Sequence, residues 1–223
     1  MNQYETTYLD NTAKIIELVT VRPSDFCDGR AFYTGCRERT LALRPLIAQN
    51  MSVLRDFLIP FFDDILDASP QEIADLTEFD DALSRLTKQA DNGVHYQINS
   101  ALIVYARQKK DRDLLVRSLY HGAMALYNYS AIMRMTDPSR FFWKMRLLFG
   151  EAAGYIRYYD EIQNPETRGY IHRSMSNLAL CYNSITDPEQ KFTVLRRALN
   201  ILQDPVYQQK TPSLPWALYI TKT

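Results

Sequence analysis

Apolar side chains recur at steps of three and four along most of the chain, and almost nowhere do they alternate with polar ones over a strand's length. Helix is the element this pattern predicts. After Pro138 the series Phe142, Met145, Leu148 and Phe149, Ala152, Tyr155 and Ile156, and Tyr159 keeps one face apolar over several turns. Ile73, Leu76, Phe79, Leu83 and Leu86 do the same after Pro70. Val94, Ile98, Ala101 with Leu102, and Tyr105 form another stripe, closed by the polar break from Arg107 to Asp113, and Leu115, Leu119, Gly122 and Leu126 form the next. Met175, Leu178, Ala179 and Tyr182 predict a helix after Pro165, and Val194 with Leu195, Ala198 and Leu202 one after Pro188.

The helix starts are written in short pairs. Ser69-Pro70, Asp137-Pro138, Asn164-Pro165 and Asp187-Pro188 each set a side-chain acceptor before a proline. The acceptor satisfies free N–H groups of the first turn, and proline fits the first helical position because its missing N–H has no partner there. Glu72 and Gln190 stand three residues after Ser69 and Asp187, completing capping boxes.

Two prolines interrupt otherwise helical patterns. Pro60 falls within the stripe Leu54, Phe57 with Leu58, Phe61 with Phe62, and Ile65 with Leu66, where it costs a backbone bond to Asp56, roughly 3 kcal/mol in a helix interior. A kink or fresh start near Ile59 is expected. Pro45 poses the same problem, and the segment from Pro23 to Gly35 reads as a loop.

Successive caps at Asp137, Asn164 and Asp187 lie 27 and 23 residues apart, so the helices are joined by short turns and form antiparallel hairpins. The expected fold is all-α, with antiparallel helical hairpins stacked as an α-solenoid. Residues 1–90 are read as an N-terminal helical part and 91–223 as the hairpin repeats, continuous with it.

Charge and cysteine usage narrow the setting. Lys plus Arg and Asp plus Glu both total 26, and a neutral chain lacks the basic excess that nucleic acid binding calls for. The longest apolar runs, such as Phe57 to Phe62, are far below the ~18 residues of a membrane span, and the N-terminus has neither a basic start nor an apolar stretch. Cys27, Cys36 and Cys181 are odd in number and form no Cys-x-x-Cys pair, which fits reduced thiols in the cytoplasm.

Catalytic hardware is absent from the pattern. There is no P-loop, no Gly-x-Gly-x-x-Gly and no His-Glu-x-x-His, so neither a nucleotide cofactor nor a catalytic residue is expected. His95, His121 and His172 are scattered over separate helices with no spacing that predicts a metal site. Asp63-Asp64 and the run from Glu78 to Asp81 read as solvated acids, and Arg37, Arg39 and Arg44 as a solvated basic group. Among the 15 tyrosines, Tyr96 stands apart: with Asn99, Arg173 and Asn177 it falls on positions that would line a solenoid's concave face. A groove carrying these groups suits a peptide, a protein segment or a small anionic ligand.

Two resemblances rest on particular residues. From Met175 to Leu202, Leu178-Ala179 ahead of Tyr182, with Leu195 and Ala198 on the partner helix, resembles a tetratricopeptide (TPR) unit, although Lys191 stands where that pattern has a small residue. Tyr159-Asp160-Glu161, the stretch Asn164 to Asn177, Asp204-Pro205-Val206-Tyr207 and Leu214-Pro215-Trp216 resemble the N-terminal helical region of bacterial GGDEF proteins, the diguanylate cyclases, especially the clostridial type. That resemblance spans about the last 130 residues. The family's Gly-Gly-Asp/Glu-Glu-Phe signature does not occur here. The resemblance therefore implies a regulatory part that senses or docks a partner, continues past Thr223 into a cyclase, and is able to homodimerise. A free-standing scaffold for protein partners is the alternative. Pro215, Trp216, Tyr219 and Ile220 predict a short terminal helix docked near Leu195 or Leu199.

Overall fold

The computed structural model describes residues 1–20, 28–86, 92–132 and 138–183, with scattered positions from 188 to 205. Every regular element among them is helical. No described helix is long and apolar enough to cross a membrane. Of the helix expected after Pro188, positions 188, 189, 192, 193, 196, 199 and 200 are described and all are helical, while its apolar positions Val194, Leu195, Ala198 and Leu202, and the helix expected at Pro215 and Trp216, lie outside the described residues. The chain divides into two compact units, Met1–Lys88 and Gln89–Thr223.

In the first unit α1 (Gln3–Val19) opens on a capping box. Asn2 Oδ1 accepts from the N–H groups of Tyr4 and Glu5, and Glu5 Oε2 accepts from Asn2 N–H at 2.7 Å. Helix α2 (Gly29–Val53) lies antiparallel to α1: Asn11 and Thr12 meet Asn50, while the carbonyls of Glu17 and Leu18 accept from Arg39. The join is a buried polar ladder. Asn11 Nδ2 donates to Asn50 Oδ1 at 3.1 Å, and Asn50 Nδ2 donates to Thr12 Oγ1 at 3.1 Å. A slip in register would leave buried amides unpaired, so these bonds specify how the two helices meet.

The structure starts α2 inside the segment expected to be a loop. Asp28 accepts from Ala31 N–H at 2.8 Å and starts a helix that includes Gly29 to Gly35. The cap supplies the nucleus that the glycines weaken. Pro45 lies inside α2 without ending it. Both Pro45 and Leu41 are exposed, so water can satisfy the Leu41 carbonyl that loses its bond. The irregularity expected near Pro60 is a π turn and not a break: α2 passes into the turn (Leu54–Leu58), which continues directly into α3 (Ile59–Asp63). A 3₁₀ turn (Ile65–Asp67) then leads to α4 (Pro70–Leu86), capped as the sequence predicts by Ser69 and Glu72. Helix α4 buries Ile73, Leu76, Phe79 and Leu83, with Phe79 edge-on to Tyr8 of α1.

The second unit opens with α5 (Asn92–Lys109) and α6 (Arg112–Ile132). Between them Lys110 takes a left-handed φ of 58°, Asp111 N–H bonds the Ala106 carbonyl and Lys110 N–H bonds that of Arg107. This is the bond pair of a Schellman ending. Asp111 then caps α6 through Leu114 N–H, so the reversal takes two residues and the helices run antiparallel. Gly122 faces Asn99 across this pair: a Cβ at 122 would meet the Cβ of Asn99 at 3.4 Å, an ordinary packing contact.

Helix α7 (Pro138–Gly154) passes into a 3₁₀ turn (Tyr155–Tyr158), one element shorter than its apolar stripe predicts, and α8 (Pro165–Asn183) begins at the Asn164 cap. Contacts between α6 and α8 advance together: Asp113 with Gln163 and Asn164, Tyr120 with Tyr170, Met124 with Asn177. The two helices therefore run parallel. Val116, Ala123, Met145, Phe149, Ile156, Ile171 and Met175 form the core they share with α7.

Candidate functional site

Tyr96, Asn99, Arg173 and Asn177 meet different neighbours. Tyr96, on α5, is half-buried, with the Lys144 ammonium 4.8 Å from its ring centre. Asn99 is fully buried and donates from Nδ2 to the His95 carbonyl at 2.8 Å. It stands against Gly122 in the α5–α6 seam, so it is a packing residue and not part of an accessible face. Asn177 is half-buried and donates to the Met124 thioether at 3.3 Å. Arg173 alone is exposed, its guanidinium 5.4 Å from the centre of the Tyr170 ring.

Around Arg173 the parallel approach of α6 and α8 assembles a group that helical spacing did not single out. Tyr120 and Tyr170 stack at 4.7 Å with 21° between their planes, and His121 stands edge-on to Tyr170 at 5.0 Å. Tyr170 donates its hydroxyl to Glu166 at 2.8 Å. On the same helix His172 Nε2 lies 3.4 Å from Tyr159 Oη, and Arg168 lies over the Tyr159 ring while donating from Nε to the Ile162 carbonyl. Burial pulls the His172 imidazole below its ordinary value and favours the neutral ring. The signal in the sequence was the spacing Arg168, Tyr170, His172, Arg173, but its partners Tyr120 and His121 lie about fifty residues upstream.

This arrangement is suited to recognition. Arg173 presents charge-assisted donors over the rigid, buried Tyr170 ring, whose hydroxyl is already engaged by Glu166, and such a cation suits an anionic ligand. Cys181, near the end of α8, offers no nucleophile: burial pushes its thiol up to about 12.

Charge is divided along the chain. Residues 1–88 hold 15 acidic and 9 basic side chains, a net of −6, and residues 89–223 hold 11 acidic and 17 basic, a net of +6. The overall zero conceals two opposite units, and the second has the basic excess an anionic ligand favours. The acidic run on α4 departs from its expected solvation. Asp80 is fully buried, because it follows Phe79 on the stripe Ile73, Leu76, Leu83, and Asp81 is half-buried. Asp63 and Asp64 are exposed as expected.

The first unit holds a pocket of about 280 Å³ lined by Tyr4, Glu5, Phe57, Phe61, Glu72 and Asp75 among others. Its acids are already engaged: Glu5 and Glu72 in capping boxes, Asp75 with Gln71 and the Met1 ammonium. Tyr4 and Phe57 stack on each other at its wall. That pocket is built from helix ends and stands as part of the fold. Compared with protein-family models, curated proteins and solved structures, the chain matches none.

Proposed function

We propose that this chain is a non-catalytic sensory or interaction domain, its hairpins stacked in TPR-like fashion, that docks an anionic peptide, protein segment or small ligand at Arg173. By the resemblance carried on Asn164 to Asn177, its output is an attached diguanylate cyclase. The observation that carries the docking reading is Arg173 itself: a cation exposed on α8, steadied over the Tyr170 ring beside Tyr120 and His121, within a unit of net charge +6. The parallel run of α6 and α8 supports a repeating arrangement, since alternate helices of stacked hairpins point the same way.

Three measurements test this. Incubation with GTP and Mg²⁺ followed by chromatography is expected to yield no cyclic di-GMP above a control without protein, and product would overturn the non-catalytic reading. Ligands found by thermal-shift screening of anionic compounds and acidic peptides should bind Arg173→Ala about tenfold or more weakly, as a lost charge-assisted bond requires. Equal affinity would place the docking face elsewhere. Reading the gene beyond the Thr223 codon decides the output: a frame running into a GGDEF motif supports regulation, and a stop codon leaves the free-standing scaffold.

A further inference from the structure

Helix α2, its π turn and α3 form one helical rod from Gly29 to Asp63, roughly 50 Å long at ~1.5 Å per residue. One face packs on α1, and the opposite face is exposed among the described residues. Only Asn50 and Val53 are buried along the 25 residues of α2. Tyr33, Arg37, Thr40, Arg44, Ile47 and Met51 succeed one another at alternating steps of four and three, and all are exposed. The π turn adds one residue to its turn and sets back the phase of the helix after it, which carries Ile59 and Asp63 onto this same face, both exposed.

From 29 to 55 the rod holds five arginines and one acid, and from 56 to 63 two acids and no base, with Asp64 following directly. Arg39 is turned toward α1, and Arg55 is held in an ion pair with the adjacent Asp56, which leaves Arg30, Arg37 and Arg44 as the unengaged basic groups of the exposed side. The outer face thus reads basic at one end, apolar about Ile47, and acidic at Asp63 and Asp64.

We infer that this face docks a second copy of the same chain, antiparallel, about a two-fold axis at Ile47. A basic-to-acidic rod is its own complement when reversed. With Ile47 at the axis, Arg30 comes level with Asp63 and Asp64 of the other copy, and Arg37 with its Arg55–Asp56 ion pair, while Leu41, Ile47 and Met51 supply the apolar centre. A parallel pair would set arginine against arginine. An anionic membrane would attract one end and repel the acids at the other, so a self-complementary isologous contact fits the whole face best.

The test uses the full chain in a Cys27→Ser, Cys36→Ser background. Sedimentation at micromolar concentration should show a dimer in 50 mM salt that weakens at least tenfold in 1 M salt. Ile47→Cys should form an intermolecular disulfide under mild oxidation, and Arg30→Cys should cross-link to Asp64→Cys on mixing but not to itself. Arg30→Glu with Arg37→Glu should be monomeric with unchanged helicity, and mixing it with Asp63→Lys, Asp64→Lys should restore a dimer. A wild-type chain that stays monomeric at 100 µM overturns the inference. So does a dimer indifferent to the charge reversals, or one that cross-links Arg30→Cys to itself. These readouts involve no residue of α8, so they fail or succeed independently of docking at Arg173.

Discussion

Val53 and Leu58 lie five residues apart and are both buried in the first unit's core, because the π turn between them takes up most of the 140° that α-helical geometry would put between their side chains. Phe57, at the α-helical spacing from Val53, is 39 % exposed. Leu58→Ala is therefore expected to lower unfolding free energy by about 2–5 kcal/mol, the range for truncating a buried leucine. Phe57→Ala loses only its stacking on Tyr4 and part of its burial, about 1–2 kcal/mol. Urea denaturation of both variants measures the difference, and the reverse order would mean that the helix continues as α through 54–58.

Lys110 pays for a left-handed conformation that glycine adopts freely. Its two closing bonds, from Asp111 to Ala106 and from Lys110 to Arg107, are backbone bonds and survive substitution. Lys110→Gly is expected to stabilise the chain by about 0.5–1 kcal/mol. A rise in melting temperature of a few degrees checks this, and a fall would place the Lys110 side chain in a contact that outweighs its backbone strain.

His172, half-buried, and Glu5, buried, give opposite pH dependences. His172 has its ordinary value of 6.5 lowered by burial, so its contribution is fully present above that value and is lost as pH falls through the lowered folded one. Glu5 has its ordinary value of 4.5 raised, first by burial, against the opposing Asn2 bond. Its contribution is complete below 4.5 and lost as pH rises through the raised value. His172→Gln should flatten the fall in melting temperature between pH 7 and 5. Glu5→Gln, which keeps the capping acceptor, should melt higher than the wild type at pH 7 and equally at pH 4. Unchanged slopes would show that other groups dominate the titration.

Asn99 and Arg173 belong to one expected binding face but differ in burial, and their substitutions should separate accordingly. Asn99→Ala removes a buried amide that bonds the His95 carbonyl and is expected to cost about 1–3 kcal/mol. Arg173→Ala removes an exposed cation over a ring, worth about 0.5–1 kcal/mol at most. Chemical denaturation of the two variants makes the comparison, and a large loss for Arg173→Ala would place it in the structural network.

What the sequence determined by itself is local chemistry. Ser69-Pro70 and Asn164-Pro165 begin helices because an acceptor and a proline suit the first turn wherever they occur, and the stripes at Ile73 to Leu83 and Val94 to Tyr105 are buried because period 3.6 defines a face. Even the irregularity before Pro60, a π turn, was signalled by the one N–H that proline lacks. Asp28 was readable by the same rule, but the glycines after it pointed to a loop. Tertiary structure decided the rest. Whether Asn99 faces a groove or a seam depends on Gly122, twenty-three residues away on another helix. Tyr120 and His121 reach Tyr170 only because α6 and α8 run parallel, an outcome of packing that no spacing along one helix encodes. The outer face of α2 shows the same division. Its arginines are legible in the sequence, but their exposure, and the phase slip that brings Asp63 into line with them, come from the fold.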